Sequence, residues 1–257
     1  MRPQPEKPIV VRGRILGGPV PLLCVPLTGR TRETILREAS DVSKIAPDMI
    51  EIRVDFWDFV EETESALSMV REIRETVGDI PVILTCRRHE EGGWKKVTEG
   101  GKFILYIRAV EAGLVDFLDV ELASGEEKIR EMLSIEPSVS LIVSSHDFEK
   151  TPSRNEIISI LTSEIQSGAQ IAKFAAMPGC EEDVLALLSA TLAARRAYPE
   201  IPLITMSMGD TGGISRIAGG FFGSDLTFAR SSNASAPGQI PASAMKGFLS
   251  SLYHSQQ

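Results

Sequence analysis

The sequence has few of the residues that build disulfide frameworks or structural metal sites. Only three cysteines and three histidines occur in 257 residues, and no two cysteines have C-x-x-C spacing. Cys24 and Cys86 lie in apolar, strand-like runs, where a cysteine usually acts as a small buried hydrophobe. These counts exclude a disulfide framework and argue against a structural zinc site, so we predict no metal.

Long apolar runs and an excess of basic residues are also missing. No stretch reaches the roughly 18 uninterrupted apolar residues of a membrane span, and the N-terminus lacks the apolar core of a signal peptide. Asp and Glu number 35 against 27 Lys and Arg, which gives a net charge of −8. This balance argues against a nucleic-acid partner, but it allows a cationic pocket for a small anion. We predict a cytoplasmic protein.

The sequence does contain a regular alternation of short apolar runs and longer amphipathic segments. Hydrophobic residues make up 43% of the chain and charged residues 24%, which excludes disorder over most of its length. No low-complexity linker divides the chain, so residues 1–257 are predicted to form one domain. Eight strand-like runs begin near residues 21, 48, 81, 115, 139, 170, 202 and 225, and a helical pattern follows each.

This alternation predicts a parallel sheet with crossover helices. Eight units of roughly 30 residues favour a closed (β/α)8 barrel, a TIM barrel, over an open sheet. Residues 9–18 precede the first of these strands and are predicted to form a hairpin that closes the N-terminal end of the barrel. Active sites in such barrels form at the carboxyl ends of the strands, so polar residues there are the candidates for chemistry.

The second predicted barrel strand carries two charges on one face. A period of two places Glu51 and Arg53 together, with Ile50, Ile52 and Val54 on the opposite face. The apolar face meets helices, so the charged face points into the barrel. The alternative interpretation is a buried ion pair that only holds the barrel interior together.

Lys173 lies among apolar residues in the sixth predicted strand. Lysine is almost never buried without a partner or a purpose. Burial and neighbouring cations favour the neutral amine, which in a dry pocket attacks a ketone or aldehyde to form an imine. The alternative is a lysine that neutralises an interior acid such as Glu51, Asp119 or Glu121. We favour the nucleophile.

Two further strand ends carry groups suited to acid–base chemistry. His146 ends the fifth strand, where imidazole can move protons near neutral pH, although a structural histidine is the alternative. Asp147 points to the opposite face and is not its expected partner. After the third strand, Arg87 and Glu91 precede a glycine pair, which predicts a mobile loop forming part of a lid. A solvated charged loop is the alternative there.

The last two loops offer groups that bind anions or hydroxyl groups. The segment GDTGGISRIAGG at 209–220 begins with a glycine-rich loop. This loop precedes a predicted helix and so can bind phosphate, although it lacks G-x-G-x-x-G and GK[ST]. Arg216 at the start of that helix is placed to clamp an anionic group through two hydrogen bonds. Ser235 and Gln239 in the final loop add neutral hydrogen-bonding groups.

Nine short segments match one enzyme family in order. They are EIRVD at 51–55, R-x-x-x-EGG at 87–93, SHDF at 145–148, TP at 151–152, AKFAAMP at 172–178, ITMSMG at 204–209, ISRIAG at 214–219, FGS at 222–224 and SAPGQI at 235–240. The ordered set resembles the type I 3-dehydroquinate dehydratases of the shikimate pathway. The resemblance covers nearly the whole chain from the first predicted barrel strand onward.

The resemblance implies a (β/α)8 barrel that dehydrates 3-dehydroquinate to 3-dehydroshikimate without a metal or cofactor. It implies that Lys173 forms an imine with the C3 ketone, while His146 takes the C2 proton and returns one to the departing C1 hydroxyl. Glu91 would polarise His146, and Arg216 would clamp the substrate carboxylate. The other implied substrate-binding residues are Glu51, Arg53, Arg87, Ser235 and Gln239, with Met206 and Met208 lining the pocket.

Three features depart from the family pattern. Ile52 stands where an aromatic residue is often found, and Cys86 is also a substitution, but both lie on the strand face away from the site. The loop at 209–213 is richer in glycine than the pattern, which affects the expected conformation before Arg216. Fusion to a shikimate dehydrogenase, which occurs in the wider family, is not expected at this length.

Two other functions are compatible with parts of the pattern. A class I aldolase would share Lys173, but it would be expected to have a phosphate site rather than the SAPGQ loop. An inactive barrel kept as a binding module would not need Glu91, His146, Lys173 and Arg216 together. The sequence leaves the oligomeric state open, and a homodimer is one alternative.

Overall fold

The computed structural model describes residues 2–253, which contain eight parallel barrel strands, eight α-helices and one antiparallel hairpin. The hairpin comprises β1 (Ile9–Val11) and β2 (Arg14–Leu16). The barrel strands are β3 (Leu22–Leu27), β4 (Met49–Arg53), β5 (Val82–Thr85), β6 (Phe117–Glu121), β7 (Ser140–Asp147), β8 (Ile171–Ala176), β9 (Leu203–Ser207) and β10 (Leu226–Phe228). The helices are α1 (Arg32–Ile45), α2 (Thr63–Val77), α3 (Glu99–Glu111), α4 (Glu126–Leu133), α5 (Arg154–Gln166), α6 (Glu181–Ala197), α7 (Gly213–Ala218) and α8 (Ala242–Tyr253).

The strand order β10-β3-β4-β5-β6-β7-β8-β9 is that of a (β/α)8 barrel, which confirms the predicted fold class. The join between β9 and β10 uses residues just before β10. The Asp225 N–H donates to the Leu203 carbonyl at 2.7 Å, and the Thr205 N–H donates to the Ser224 hydroxyl at 3.0 Å. The Ser224 side chain therefore supplies one of the hydrogen bonds that close the barrel between β9 and β10.

The two faces of the barrel strands pack against different partners. Outward residues such as Ile50 and Ile52 join the cluster shared with the helices. Inward residues near the strand starts fill the N-terminal half of the barrel, namely Leu22, Met49, Ile83, Phe117, Ile142, Ile171, Ile204 and Leu226. Charged and polar residues occupy the inward positions nearer the carboxyl ends, as Glu51 and Lys173 do. These polar side chains therefore lie directly above the apolar residues that fill the N-terminal half.

The hairpin closes the N-terminal end of the barrel, as predicted. Leu16 packs inside the interior cluster, with Ile9 and Val11 against it. Arginines of the N-terminal segment pair with aspartates that precede barrel strands: Arg2 with Asp225, Arg12 with Asp116 at 2.7 Å and Arg14 with Asp48 at 3.5 Å. Each aspartate also accepts the backbone N–H of a neighbouring strand, so these pairs join the segment to the strand starts.

One α-helix follows each barrel strand, as predicted. Helix α7 begins at Gly213, and a 3-10 turn (Gly219–Phe222) follows it directly. Shorter 3-10 turns follow β4, β5 and β6 at Val54–Phe56, His89–Glu91 and Leu122–Ser124. The predicted eighth helix extends to residue 256, and its last residues lie outside the described part of the chain. In residues 2–253, no helix combines the length and apolar character required to cross a membrane.

Candidate active site

A cavity opens at the carboxyl ends of the barrel strands, which is where the active sites of such barrels form. All the residues that the sequence analysis assigned to the site line this cavity. They are Glu51, Arg53, Arg87, Glu91, His146, Lys173, Met206, Met208, Arg216, Ser235 and Gln239. Gly92, Phe148, Ala175, Phe228 and Ala236 complete the lining.

Lys173 projects inward from β8 and is almost completely buried. Its Nζ lies 2.6 Å from Oδ2 of Asp119, 3.7 Å from Oε1 of Glu51 and 4.7 Å from the centroid of the Phe228 ring. Two of the interior acids considered as alternative partners, Asp119 and Glu51, therefore lie next to Lys173, and Glu51 also lines the cavity. A neutral amine at Lys173 requires transfer of its proton to a neighbouring base.

Asp119 is the acid at the centre of this arrangement. It is fully buried, and besides Lys173 it binds Nη2 of Arg87 at 2.8 Å and accepts the Ser144 hydroxyl at 2.6 Å. Burial opposes its charge, but Arg87 and Lys173 outweigh that effect and hold the pKa of Asp119 well below its ordinary value. Asp119 is therefore a permanent counter-charge for a cation at Lys173.

Arg87 follows β5 and is held by acceptors on the next two strands. Its Nη1 donates to Oε1 of Glu121 at 2.9 Å and to the Ser144 hydroxyl at 2.7 Å. Glu121 is bound on its other oxygen by Lys102 of α3. These contacts fix the guanidinium at one wall of the cavity, where its charge acts on the neighbouring titratable groups.

His146, near the end of β7, contacts Glu91 from the loop after β5. The imidazole Nδ1 lies 3.1 Å from Oε2 of Glu91, and the His146 backbone N–H donates to the same oxygen at 2.9 Å. Asp147 instead accepts the backbone N–H groups of the following turn, as its predicted orientation requires. An ionised Glu91 accepts Nδ1–H, which leaves Nε2 of His146 as a proton acceptor.

The proton affinities of this pair depend on burial and on the nearby cations. Burial raises the pKa of Glu91 to about 7, and the charge of Arg87 opposes the rise. Burial, followed by the charges of Arg87 and Lys173, lowers the pKa of His146 well below its ordinary value. His146 is therefore neutral at physiological pH, which is the state that a general base requires.

Glu51 and Arg53 both project inward from β4, as the period of two predicts, but they do not pair with each other. Nε and Nη2 of Arg53 bind the two carboxylate oxygens of Asp55 at 2.9 and 2.8 Å. The Thr85 hydroxyl donates to Glu51 at 2.9 Å. The Glu51–Arg53 ion pair considered as an alternative is replaced by an Arg53–Asp55 pair, and Glu51 faces Lys173.

Arg216 of α7 enters the cavity as a buried cation with no carboxylate at salt-bridge distance in residues 2–253. Its Nη2 donates to the Pro237 carbonyl at 3.0 Å, Nη1 lies 3.4 Å from the sulfur of Met206, and Nε makes no hydrogen bond to the described residues. Burial lowers its pKa to about 10. A desolvated guanidinium in this state is suited to a carboxylate ligand.

The loops that follow β9 and β10 pack together through glycine. A Cβ at Gly238 would lie 2.0 Å from the Gly209 carbonyl oxygen, and the Gly209 N–H donates to the Pro237 carbonyl at 3.2 Å. In the last loop the Ser235 N–H donates to Oε1 of Gln239 at 2.9 Å, and Nε2 of Gln239 donates back to the Ser235 hydroxyl at 3.1 Å. Gln239 and Ser235 therefore orient each other.

Some cavity and supporting residues were not assigned to the site from sequence. Asp119 and Glu121 alternate with apolar residues in FLDVE at 117–121, the same signal that identified Glu51, but they were considered only as partners of a buried lysine. Phe148 lies in the SHDF segment and packs on Gly92, where a Cβ would lie 2.2 Å from its ring. In residues 2–253, no group of three or more His, Cys, Asp or Glu side chains is arranged to hold a metal ion.

Comparisons with known proteins agree with this geometry. Residues 23–256 match the family model described as type I 3-dehydroquinase. The 3-dehydroquinate dehydratase of Bacillus subtilis (strain 168) is 38% identical over 247 residues, covering 95% of this chain and 97% of that protein. The enzyme of the same name from Geobacillus thermodenitrificans is 42% identical over 245 residues, covering 94% of this chain and 95% of that protein.

Solved structures give the same result. The crystal structure of 3-dehydroquinate dehydratase from Geobacillus kaustophilus HTA426 superposes with a TM-score of 0.95 at 40% identity and covers 100% of both chains. The type I 3-dehydroquinate dehydratase from Clostridium difficile, solved with covalent modified comenic acid, has a TM-score of 0.92 at 38% identity. It covers 98% of this chain and 99% of that one.

Proposed function

The chain belongs to the type I 3-dehydroquinase family, and we propose that it dehydrates 3-dehydroquinate through an imine formed by Lys173. Family membership makes the chain a lyase that acts on a small molecule. The observation that carries the mechanism is one cavity lined by buried Lys173, by neutral His146 and by Arg216, which has no carboxylate partner among the described residues. These supply a nucleophile, a base and an anion site.

Imine formation begins from the Lys173–Asp119 ion pair. The ammonium proton passes to a neighbouring base, for which neutral His146 is suitably placed on the same cavity. Nζ then attacks the C3 carbonyl carbon. The carbonyl oxygen takes up two protons, one from the attacking nitrogen and one returned by His146, and leaves as water. The product is a protonated imine, and Asp119 remains as its counter-charge.

Dehydration follows because the protonated imine draws electrons from the adjacent C2–H bond. Nε2 of His146 accepts the C2 proton, and Glu91 stabilises the imidazolium that forms. The resulting enamine expels the C1 hydroxyl, which His146 protonates so that it leaves as water. Hydrolysis of the imine then releases 3-dehydroshikimate and regenerates Lys173.

The remaining lining residues orient the substrate in this proposal. Arg216 binds the carboxylate, because it is the buried cation without a carboxylate partner among the described residues. Hydrogen bonds to the hydroxyl groups and carboxylate come from Glu51, Arg53, Arg87, Ser235 and Gln239. Met206 and Met208 provide an apolar wall for the ring.

The test combines turnover with chemical trapping. Incubation with 3-dehydroquinate is expected to produce the enone absorbance of 3-dehydroshikimate, and borohydride added during turnover is expected to fix an adduct on Lys173 that mass spectrometry detects. Lys173→Ala should abolish both signals, whereas His146→Ala should still form the adduct but turn over about 10²–10⁴-fold more slowly. Turnover without an adduct would exclude the imine, and near-normal turnover by His146→Ala would exclude its role. An absent enone signal, or carbon–carbon cleavage instead, would exclude the dehydratase.

Several wider expectations stay predictions. They are the single domain over residues 1–257, the cytoplasmic location, the absence of nucleic-acid binding and the homodimer. Analytical ultracentrifugation of the purified chain would measure its oligomeric state directly.

A further inference from the structure

Four side chains form a continuous stack that runs from the cavity to the surface. The guanidinium of Arg53 lies 5.0 Å from the centroid of the Phe56 ring. The rings of Phe56 and Trp94 are 5.3 Å apart and within 17° of parallel, and the guanidinium of Arg30 lies 5.2 Å over Trp94. These distances are those of favourable cation–π and aromatic contacts. Of the four, Arg53 lines the cavity.

Arg53 is held on one edge and one face. Asp55 binds Nε and Nη2 through both carboxylate oxygens, and Phe56 covers the guanidinium plane. Asp55 fixes the edge of the guanidinium that carries Nε and Nη2. Its two parallel hydrogen bonds still allow the guanidinium plane to tilt relative to the carboxylate. Phe56 therefore sets the tilt of the guanidinium, and with it the direction in which the remaining Nη1 points.

Trp94 is the element that holds Phe56 against Arg53. Its backbone N–H donates to Oδ2 of Asp55 at 3.0 Å, so the loop after β5 is attached to the same acid that binds Arg53. Trp94 is 51% exposed and does not line the cavity. A large aromatic side chain exposed to this extent contributes little to the core. Its described ring contacts are the stack on Phe56 and the guanidinium of Arg30.

We propose that Trp94 is a positioning residue, which acts through Phe56 to orient the Arg53 guanidinium toward the substrate. This inference rests on the proposed function, in which Arg53 hydrogen-bonds the substrate. Arg53 is not assigned a proton-transfer role, so its contacts should be similar in the ground and transition states. Loss of its orientation therefore weakens binding and raises KM while kcat is retained.

Steady-state kinetics on three variants test the proposal. Trp94→Ala is expected to raise KM for 3-dehydroquinate about three- to tenfold, with kcat within about twofold of wild type. Trp94→Phe preserves a stacking ring and is expected to restore most of the wild-type KM. Leu185→Ala is the control, because Leu185 is also exposed, at 65%, but lies on α6 away from the stack. It should leave both constants unchanged.

A double-mutant cycle with Phe56→Leu then tests whether Trp94 acts through Phe56. If it does, the Phe56→Leu/Trp94→Ala protein has nearly the same KM as the more affected single variant. Additive effects, an unchanged KM in Trp94→Ala, a change in kcat alone, or failure of Trp94→Phe to restore KM would each overturn the proposal. Absence of turnover in the wild-type protein would instead overturn the proposed function. If Phe56→Leu does not fold, the KM values of Trp94→Ala and Trp94→Phe decide whether the proposal holds.

Discussion

Nζ of Lys173 lies 2.6 Å from Oδ2 of Asp119, so the candidate nucleophile and a permanently charged acid form one buried ion pair. In the proposed mechanism the cation at this position changes from an ammonium to a protonated imine. Asp119 faces a positive charge in both states and needs no rearrangement between them. Electrostatic stabilisation that is already in place when charge develops is usually the largest single contribution to catalysis.

Asp119→Asn is expected to lower kcat about 10²-fold, because the protonated imine loses its counter-charge while the side-chain volume is preserved. Steady-state kinetics with 3-dehydroquinate measures the effect. Asp116→Asn is the matched control, since Asp116 pairs with Arg74 at 2.7 Å at the opposite end of β6. It should reduce stability but leave kcat unchanged. Equal kinetic effects in both variants would contradict a specific role for Asp119.

The Glu91–His146 pair is expected to produce a pH dependence near neutrality. Because the pKa of Glu91 is raised to about 7, it is increasingly protonated below that pH and loses the charge that stabilises an imidazolium. We therefore expect kcat/KM, which reports the free enzyme, to fall as the pH drops below about 7. Glu91→Gln should remove this limb of the profile and lower kcat about 10- to 100-fold.

Glu90→Gln is the control for the Glu91 prediction. Glu90 is the preceding residue and its side chain is 58% exposed, so its replacement changes the charge of the same loop outside the cavity. The wild-type profile should persist in this variant. If kcat/KM of Glu91→Gln still falls below about pH 7, another group must cause that fall.

The fold could be predicted from the sequence because the burial of a barrel strand is visible in its own residues. Runs such as VILT at 82–85 are buried on both faces, and local apolar content is enough to identify them. The order of eight such runs then determines the topology, and the strand ends locate the site. Even the hairpin that closes the barrel follows from its apolar residues and its place in the chain.

Contacts between distant segments could not be predicted in the same way. The stack of Trp94 on Phe56 joins the loops after β4 and β5. The sequence around either residue does not indicate that the other is its contact partner. The same holds for Glu164 of α5, which looks like an ordinary helix-surface acid among SILTSEIQ. Its burial depends on how the helix packs on β7 and β8.

Glu164→Leu is expected to stabilise the protein. Glu164 is fully buried, and neither carboxylate oxygen makes a hydrogen bond of good geometry to the described residues. Burial raises its pKa well above the ordinary value, against the opposing effects of the Ser145 hydroxyl and the Lys173 backbone N–H. The unfolded chain releases this proton near pH ~4.3 while the folded chain keeps it, so stability falls as the pH rises above that value.

The gain from Glu164→Leu should therefore depend on pH. We expect the free energy of unfolding to increase by about 1–3 kcal/mol at pH 8, and by less at pH 5, in urea titrations. Ser163→Leu, at the adjacent exposed position of α5, controls for the addition of leucine to the helix. A gain of equal size at both pH values, or an equal gain in Ser163→Leu, would contradict the buried-acid explanation.

Arg216→Gln is expected to weaken substrate binding and to stabilise the free enzyme at the same time. Loss of the carboxylate clamp should raise KM about 10- to 100-fold. Burial lowers the pKa of Arg216 from 12.5 to about 10, so keeping this cation buried costs on the order of 3 kcal/mol. Folded and unfolded chains both stay protonated below pH ~10. The cost is therefore constant at lower pH, unlike that of Glu164.

Arg195→Gln is the matched comparison for Arg216→Gln, since Arg195 is equally buried, at 3% exposure, but is paired with Asp225. Removing Arg195 should lower Tm, because Asp225 loses one of its two cations, whereas removing Arg216 should raise Tm by a similar amount at pH 6 and pH 9. Differential scanning calorimetry of both variants measures the two shifts. A lower Tm in Arg216→Gln would mean that its contacts with Pro237 and Met206 outweigh the cost of burying the charge. In that case a carboxylate ligand would have no net cost of burying the Arg216 charge to offset.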